Sequence, residues 1–392
     1  MKNKKQLFVL VVCCCIVAAS IGMLTNSAGV FFTPIAEDLG VGKGAVSMSL
    51  TLANIAYAFG GLMTVKVIHE NNFKTMVFLF GTMYAVSTAV LSIVQSVFLL
   101  YVFSIIRGAS AGIAGIVLVT ILINNHYKEG VGFATSIALG FSGIAGALLS
   151  LVFTWLIGIA GWRLTYVVEG ILAFLLYLPC MIGPVSLNNR IKENVMQSKD
   201  TKTSMTGIVP LPIFILVCAY TFLIASVTAL PQHFPSLAST AAIGSLMVSV
   251  TMVMNTAGKI VLGAISDKIG AEKALEWYGV LVVIGLIVLA TCKSHPIFSI
   301  VGAVLVGLVY AMAAVGPVLL SQNLFRESYN EYFPKVSLVG TISNALFTTA
   351  VGFVYDIANS YDPALWLVAL FAIIAIGTLV YANKIKVREL FD

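Results

Sequence analysis

Long apolar runs of helical length fill most of the chain, and short polar segments separate them. The runs are rich in Leu, Ile, Val and Ala on every side, unlike the alternating pattern of a membrane β-barrel strand. A bilayer core of about 30 Å needs roughly 20 helical residues per crossing. The pattern therefore predicts twelve transmembrane helices, at residues 7–31, 45–67, 75–94, 97–124, 131–157, 163–184, 209–231, 241–264, 274–292, 296–321, 334–357 and 362–383.

The composition strengthens this prediction, since 59% of the residues are hydrophobic, 10% are charged and the mean hydropathy is +1.02. A chain this apolar cannot cover its own surface with polar groups, which excludes a water-soluble globule. The six cysteines lie within predicted spans and show neither disulfide nor metal-site spacing, and the sequence contains no phosphate-binding loop. We therefore expect no enzymatic activity, no cofactor, no metal and no nucleic-acid partner.

Lysine and arginine fall mainly on one side of the predicted helices. Counted from a cytoplasmic N-terminus, eighteen of the twenty-two basic residues lie on the inner side or at its margins. Cytoplasmic loops are enriched in these residues, and a wrong number of spans would scramble the bias. We therefore expect a multi-pass protein of the cell membrane with both termini in the cytoplasm.

The chain also contains an internal repeat. Residues 31–62 and 232–263 align at an offset of 201, which places Asn54 on Asn255. Agreement of this kind across separate spans indicates a duplicated six-span unit. The prediction is an all-α membrane protein with two six-helix halves and a cytoplasmic linker, at residues 1–185, 209–392 and 186–208 respectively.

Three sets of residues carry a resemblance to a known family. Residues 263–270, GAISDKIG, resemble a G-x-x-x-D-[RK]-x-G loop motif, and residues 107–115 resemble an RGxxxG helix. The glycines of residues 140–146 lead into Gly-Trp-Arg at residues 161–163. Together they resemble transporters of the major facilitator superfamily over nearly the whole chain. The resemblance implies the fold of that family, with two six-helix halves that rock around a central site.

The resemblance further implies that the motif after span eight acts as a gate, formed by Gly263, Asp267, Lys268 and Gly270. The glycines permit close helix packing, and the carboxylate can face the positive end of a neighbouring helix. The first half departs from the motif, because Val65 stands at the expected acidic position. The alternative interpretation is that Asp267 and Lys268 form an ordinary polar loop.

Asn255 and Lys259 lie four residues apart in span eight and therefore share a helix face. The pattern N-x-x-G-K-x-x-x-G-x-x-S-D resembles span eight of the oxalate/formate antiporter-like and monocarboxylate porter branch, in which an arginine at the Lys259 position binds the substrate carboxylate. Lysine keeps the charge but gives up the bidentate geometry of arginine. One lysine there implies a small monoanion, moved by proton symport or anion exchange. The alternative is that Lys259 snorkels to the inner surface near Asp267, about 12 Å away along the helix. The other candidates for substrate contact are Asn26, Asn54, Tyr57, Tyr310 and Asn344.

Two buried charges are candidates for proton coupling. Arg107 lies deep inside span four, where a charged residue is functional by default. The family resemblance implies that this arginine helps to couple protonation to conformational change, and pairing with helix carbonyls is the alternative. Glu169 in span six is the deepest acidic candidate for a proton carrier.

Efflux of drugs or other small solutes is the main rival function, and a membrane sensor that does not transport is a second. Multidrug exporters of this superfamily usually carry Gly-Pro in span five, where this chain has Gly146 and Ala147, and an acidic residue in span one, where it has Asn26. We therefore favour an anionic small molecule as the substrate. The expected partners are that substrate, the lipid bilayer and protons, and we expect a monomer.

Overall fold

The structure is a computed structural model that describes residues 2–127, 131–187, 209–325 and 328–388. Within these ranges all regular structure is helical, and eleven helical stretches are long and apolar enough to cross a membrane. One stretch, Ile137–Ile182, has 46 residues, more than twice the roughly 20 that one crossing needs. The twelve predicted crossings are therefore accounted for. The predicted linker, residues 186–208, falls almost entirely outside the described residues.

The long stretch is divided at Gly161, whose backbone angles (φ 75°, ψ 165°) are not helical. A positive φ of this size suits glycine, because a side chain would crowd the backbone there. The fifth and sixth predicted spans lie on either side of this residue. A single glycine therefore joins the two crossings.

Two compact units make up the fold. The first comprises Met1–Val41 and Met48–Ser204, and the second comprises Gly42–Ser47 and Met205–Asp392. The helices of the first half of the chain are α1 (Lys2–Val17), α2 (Phe32–Leu39), α3 (Lys43–Val67), α4 (Phe73–Val90), α5 (Val97–Ile113), α6 (Ile116–His126) and α7 (Val131–Ile182).

The described residues of the second half form eight further helices. They are α8 (Leu211–Val227), α9 (Phe234–Leu237), α10 (Ala241–Ile269), α11 (Ala271–Cys292), α12 (Pro296–Gly307), α13 (Val309–Phe325), α14 (Tyr329–Ala358) and α15 (Asp362–Arg388). Within the second unit, the backbone N–H groups of Lys43 and Gly44 donate to the carboxylate of Asp356 at 2.8 and 2.7 Å. This carboxylate therefore satisfies donors at the start of α3, which the helix itself leaves unpaired.

The first crossing of each half is irregular near its end. In the first half, α1 continues into a π-helical segment, Ala18–Asn26, and a 3₁₀ turn, Ala28–Phe31. In the second half, α8 ends at Val227 and a 3₁₀ turn, Leu230–His233, follows it. Irregular backbone at membrane depth is tolerated where protein or a cavity surrounds it, and such breaks commonly border solute sites. The apolar sequence alone predicts an unbroken first span at 7–31, so these breaks are a finding of the structure.

Glycines in the RGxxxG segment bring α5 against α3. A Cβ added at Gly108 would strike the backbone of Ala53, and one added at Gly112 would strike the backbone of Tyr57. Membrane helices pack through small residues because lipid offers them no hydrophobic drive to associate. The close packing predicted from this motif is therefore present.

Candidate functional site

In the first unit, Arg107 on α5 forms an ion pair with Glu169 on α7. The two residues are only 5% and 0% exposed. The guanidinium donates to Oε1 of the carboxylate, while Oε2 and the Arg107 Nε have no hydrogen-bond partner among the described residues. The sequence identified both residues separately but did not predict their pairing. The missed signal is charge balance, since an arginine and a glutamate buried in the same half tend to pair.

Aromatic rings enclose the cationic side of this pair. The guanidinium carbon of Arg107 lies 5.8 Å from the ring centroid of Tyr84 and 5.7 Å from that of Tyr166. The Tyr84 hydroxyl donates to the Ala19 carbonyl at 2.9 Å, and Phe31 stacks on Tyr166 with 4.2 Å between ring centroids. Both distances from Arg107 fall within the roughly 6 Å range of a cation–π interaction. The pair is therefore fixed between the irregular first crossing and the helices α4 and α7.

Three predicted contact residues in the first unit hold local structure together. Thr25 donates its hydroxyl to the Asn54 side-chain oxygen at 2.9 Å. The Asn26 amide nitrogen donates to the Ser142 carbonyl at 3.0 Å, and the Tyr57 hydroxyl accepts from the backbone N–H of Ile116 at 3.2 Å. Tyr57 thus satisfies a backbone donor at the start of α6, where a helix leaves its first N–H groups unpaired. These contacts explain the polar residues without requiring a ligand.

In the second unit, Asn255 and Lys259 lie one turn apart on α10. Asn255 is 6% exposed, and its side-chain oxygen is buried with no hydrogen-bond partner in the ranges that the structure describes. Its amide nitrogen lies 3.9 Å from the sulfur of Met252, a weak acceptor. Lys259 is half-buried, and within the described part of the chain no carboxylate or hydrogen-bond acceptor pairs with its ammonium group. Neither polar group therefore has the partner that its position in a span calls for.

Tyr310 and Asn344 are brought together by Thr228, directly after the end of α8. The Tyr310 hydroxyl donates to the Thr228 carbonyl at 3.3 Å, and the Asn344 amide nitrogen donates to the Thr228 side-chain oxygen at 2.8 Å. Over the described residues, no hydrogen bond connects this cluster to Asn255 or Lys259. The sequence predicted Tyr310 and Asn344 but missed Thr228, which has no motif around it.

The predicted gate residues lie at the end of α10 and the turn that follows. Gly270 has φ 88° and donates its N–H to the Ser266 carbonyl at 3.0 Å, so it makes the turn into α11. Gly263 has no described atom within 4 Å of an added Cβ, so the close packing expected there is not seen. Lys268 is exposed, and the side chain of Asp267 lies outside the described part of the chain.

The buried acidic residue Glu272, near this turn, was not predicted from the sequence. Glu272 in the first turn of α11 is buried, and its carboxylate accepts from the Asn323 amide nitrogen at 3.1 Å. An acidic residue is stabilised at a helix N-terminus by the helix dipole. In the sequence, Glu272 follows Gly270 by two residues, and an acidic residue just after a helix-ending glycine indicates the first turn of the next helix.

Among the described residues, eleven apolar helical stretches, one of them long enough for two crossings, define a multi-pass membrane protein with charged and polar side chains buried in its helices. Comparison with known proteins identifies its family. The sequence matches the Major Facilitator Superfamily over residues 14–327, and the chain belongs to that superfamily. It is therefore a transporter of small molecules.

Individual relatives are distant. The purine ribonucleoside efflux pump NepI of Shigella dysenteriae serotype 1 (strain Sd197) is 22% identical over 287 residues, which cover 72% of this chain and 72% of that protein. The chain is also similar in structure to a mutant of the nucleoside transporter NupG, with a TM-score of 0.75 at 9% identity, covering 95% and 99% of the two chains. A D-xylose-proton symporter gives a TM-score of 0.68 at 14% identity, covering 95% and 96%. At such low identity the structural likenesses show the fold alone.

Proposed function

We propose that this protein is a secondary active transporter that carries a small organic anion, specifically a monocarboxylate, across the membrane by alternating access. The observation that carries the proposal is Lys259 on α10, a half-buried residue whose ammonium group has no partner among the described residues. An anionic substrate would supply the missing counter-charge. Proton symport and anion exchange are both compatible with this arrangement, and the oxalate/formate antiporter-like and monocarboxylate porter branch remains the proposed affiliation.

The cost of an unpaired lysine supports this role. A lysine at the centre of a membrane helix costs roughly 2.5–3.5 kcal/mol on insertion scales. Lys259 lies ten residues before Ile269, the last residue of α10, which corresponds to about 15 Å along the helix axis. Snorkelling over that distance would relieve part of the cost. The neighbouring Asn255 favours a ligand that carries a donor besides its carboxylate, because the buried Asn255 oxygen has no hydrogen-bond partner among the described residues and a carboxylate can only accept.

Transport of a nucleoside or similar polar solute is the second candidate. NepI is a purine ribonucleoside efflux pump and NupG is a nucleoside transporter. The uncharged amides of Asn255 and Asn344 could hydrogen-bond a base or a ribose, since asparagine offers both donors and an acceptor. This candidate leaves the charge of Lys259 without a role, so we place it second.

The buried ion pair supports a proposal for coupling. We propose that protonation of Glu169, which releases Arg107 from the pair, links proton movement to the conformational change of the transporter. A buried charge that loses its partner becomes costly, so the two protonation states favour different packing around it. The motif residues Gly263, Asp267, Lys268 and Gly270 are proposed as a gate, and Asn26, Asn54, Tyr57 and Tyr310 as further contacts or supports of the substrate site.

The remaining proposals concern topology and assembly. The excess of lysine and arginine on one side supports a cell-membrane protein with both termini in the cytoplasm. We propose that the repeat boundaries lie at residues 185 and 209, with a cytoplasmic linker between them, and that the protein acts as a monomer.

A ligand screen tests the choice of substrate. Purified protein is heated with formate, lactate, adenosine or a lipophilic cation, because a bound ligand raises the melting temperature. We expect lactate or formate to stabilise the wild type, and Lys259→Gln to weaken the apparent affinity at least about tenfold. Lys273→Gln, which removes an exposed lysine of the same half, is the matched control. Stabilisation by adenosine alone favours the second candidate, and stabilisation by the cation alone contradicts both.

A further inference from the structure

The 3₁₀ turn after α8 carries a buried glutamine that no motif identifies. Gln232 lies in the turn Leu230–His233 and is 6% exposed. Its side-chain oxygen Oε1 is buried and has no hydrogen-bond partner among the described residues. Gln232 therefore presents an unused acceptor at the irregular end of the seventh crossing.

The hydroxyl group of Tyr310 explains why Oε1, and not the amide nitrogen, is the unpaired atom of the Gln232 side chain among the described residues. The Tyr310 hydroxyl gives its proton to the Thr228 carbonyl and also interacts with the Gln232 side chain. With its proton committed, the Tyr310 oxygen can only accept, and the amide nitrogen is the only donor that the Gln232 side chain offers. This match of donor and acceptor assigns the nitrogen to the Tyr310 side of the amide, and Oε1 is the atom without a partner among the described residues.

An orphan acceptor in this position points to a ligand with a donor. Folded proteins pair nearly all buried polar atoms, so each exception needs an explanation. The second unit contains another buried amide oxygen for which the described residues supply no partner, that of Asn255. Both lack the same kind of group, an O–H or N–H donor. Breaks in membrane helices are also where transporters of this architecture commonly bind their solutes.

We propose that Gln232 contacts the transported solute and accepts a hydrogen bond from one of its hydroxyl or amino groups. The proposal rests on the transport function proposed above and narrows the substrate to a molecule that carries such a donor, as a hydroxy acid does. A site built to accept from a hydroxyl rejects the analogue without it, because the acceptor is then left unpaired.

Matched pairs of solutes test this role. Wild-type protein in proteoliposomes is assayed for uptake of lactate against propionate, which lacks the hydroxyl, and of adenosine against 2′,3′-dideoxyadenosine. For a pair that is carried, we expect a preference of about tenfold or more for the hydroxylated member. Gln232→Met keeps the length of the side chain and removes the acceptor, so we expect it to abolish most of that preference. Gln95→Met, at an exposed position, is the matched control.

A second variant keeps the test decisive if Gln232→Met fails to fold. Gln232→Asn keeps the amide but shortens the side chain by one methylene group, which withdraws the acceptor, and we expect it too to lose most of the preference for adenosine over the dideoxy compound. A preference that is unchanged in Gln232→Met overturns the role of Gln232, as does a wild type that carries both members of a pair equally well. Absence of uptake for all four compounds contradicts the proposed function itself, which distinguishes the two failures.

Discussion

Replacing either partner of the buried ion pair between Arg107 and Glu169 should destabilise the first unit, and the two replacements should lower its stability by different amounts. Glu169→Leu leaves the Arg107 guanidinium buried without its carboxylate, and Arg107→Met leaves the Glu169 carboxylate buried without a cation. Removing one partner of a buried pair costs about 3–5 kcal/mol. For a unit of this size, about 2–4 °C per kcal/mol converts that cost to a fall in melting temperature of about 6–20 °C.

The surroundings of the pair determine which variant loses more. After Glu169→Leu, the guanidinium still lies within 5.8 Å of the Tyr84 ring centroid and 5.7 Å of the Tyr166 ring centroid. Cation–π contacts that are shielded from water contribute about 2 kcal/mol, so they offset part of the loss. A lone Glu169 carboxylate, by contrast, becomes neutral by taking up a proton, whereas an arginine stays charged. The aromatic contacts offset only part of the cost of the lone guanidinium, so we expect Glu169→Leu to be the more destabilising single change.

Thermal unfolding of the purified variants measures these differences. The double variant Arg107→Met with Glu169→Leu should recover most of the loss, because replacing a whole buried pair by apolar residues is often nearly neutral. Asp38→Asn is the matched control, since it breaks the exposed pair of Asp38 with Arg163 at 2.6 Å, and such pairs contribute about 0–1 kcal/mol. The reasoning is refuted if the single variants lose no more than this control, or if the double variant loses the sum of both.

The remaining predictions concern coupling and helix packing. Glu169→Gln, which keeps the shape of the side chain, should make uptake insensitive to an imposed pH gradient; uptake that responds as in the wild type excludes Glu169 as the proton carrier. Gly112→Ala should lower stability by about 1–3 kcal/mol, because the added Cβ meets the Tyr57 backbone, whereas Gly158→Ala, with no atom within 4 Å, should be neutral or slightly stabilising. Gly161→Ala should cost about 1–2 kcal/mol through its positive φ, and denaturation curves that match the wild type contradict this.

Much of the fold follows from the sequence because membrane helices are apolar over their whole length. The predicted spans coincide with the observed helices, and the RGxxxG segment packs as its glycines require. The irregular stretch Ala18–Asn26 was not predicted, because its composition is as apolar as that of a regular helix. The connection between the fifth and sixth spans was predicted between residues 157 and 163, and the structure narrows it to the non-helical backbone of Gly161.

The candidate site was less predictable, because pairing depends on how distant segments pack. Arg107 and Glu169 are 62 positions apart, and no spacing rule connects them. The sequence singled out Asn255 and Lys259 by their shared helix face. Only the structure shows that the described residues around α10 offer neither the Asn255 oxygen nor the Lys259 ammonium group a partner. Gln232 lies outside every motif. That its oxygen has no partner among the described residues is visible only in the structure, where the Tyr310 hydroxyl donates to Thr228 and not to Gln232.

Flux through reconstituted protein is the most direct test of anion transport. Proteoliposomes loaded with unlabelled lactate, or given an inward pH gradient, should accumulate labelled lactate or formate saturably, and Lys259→Gln should lose most of this accumulation while Lys259→Arg, which keeps the charge, retains much of it. Undiminished accumulation in Lys259→Gln contradicts the anion contact. Binding of lactate without any movement of label across the membrane contradicts transport of this substrate altogether.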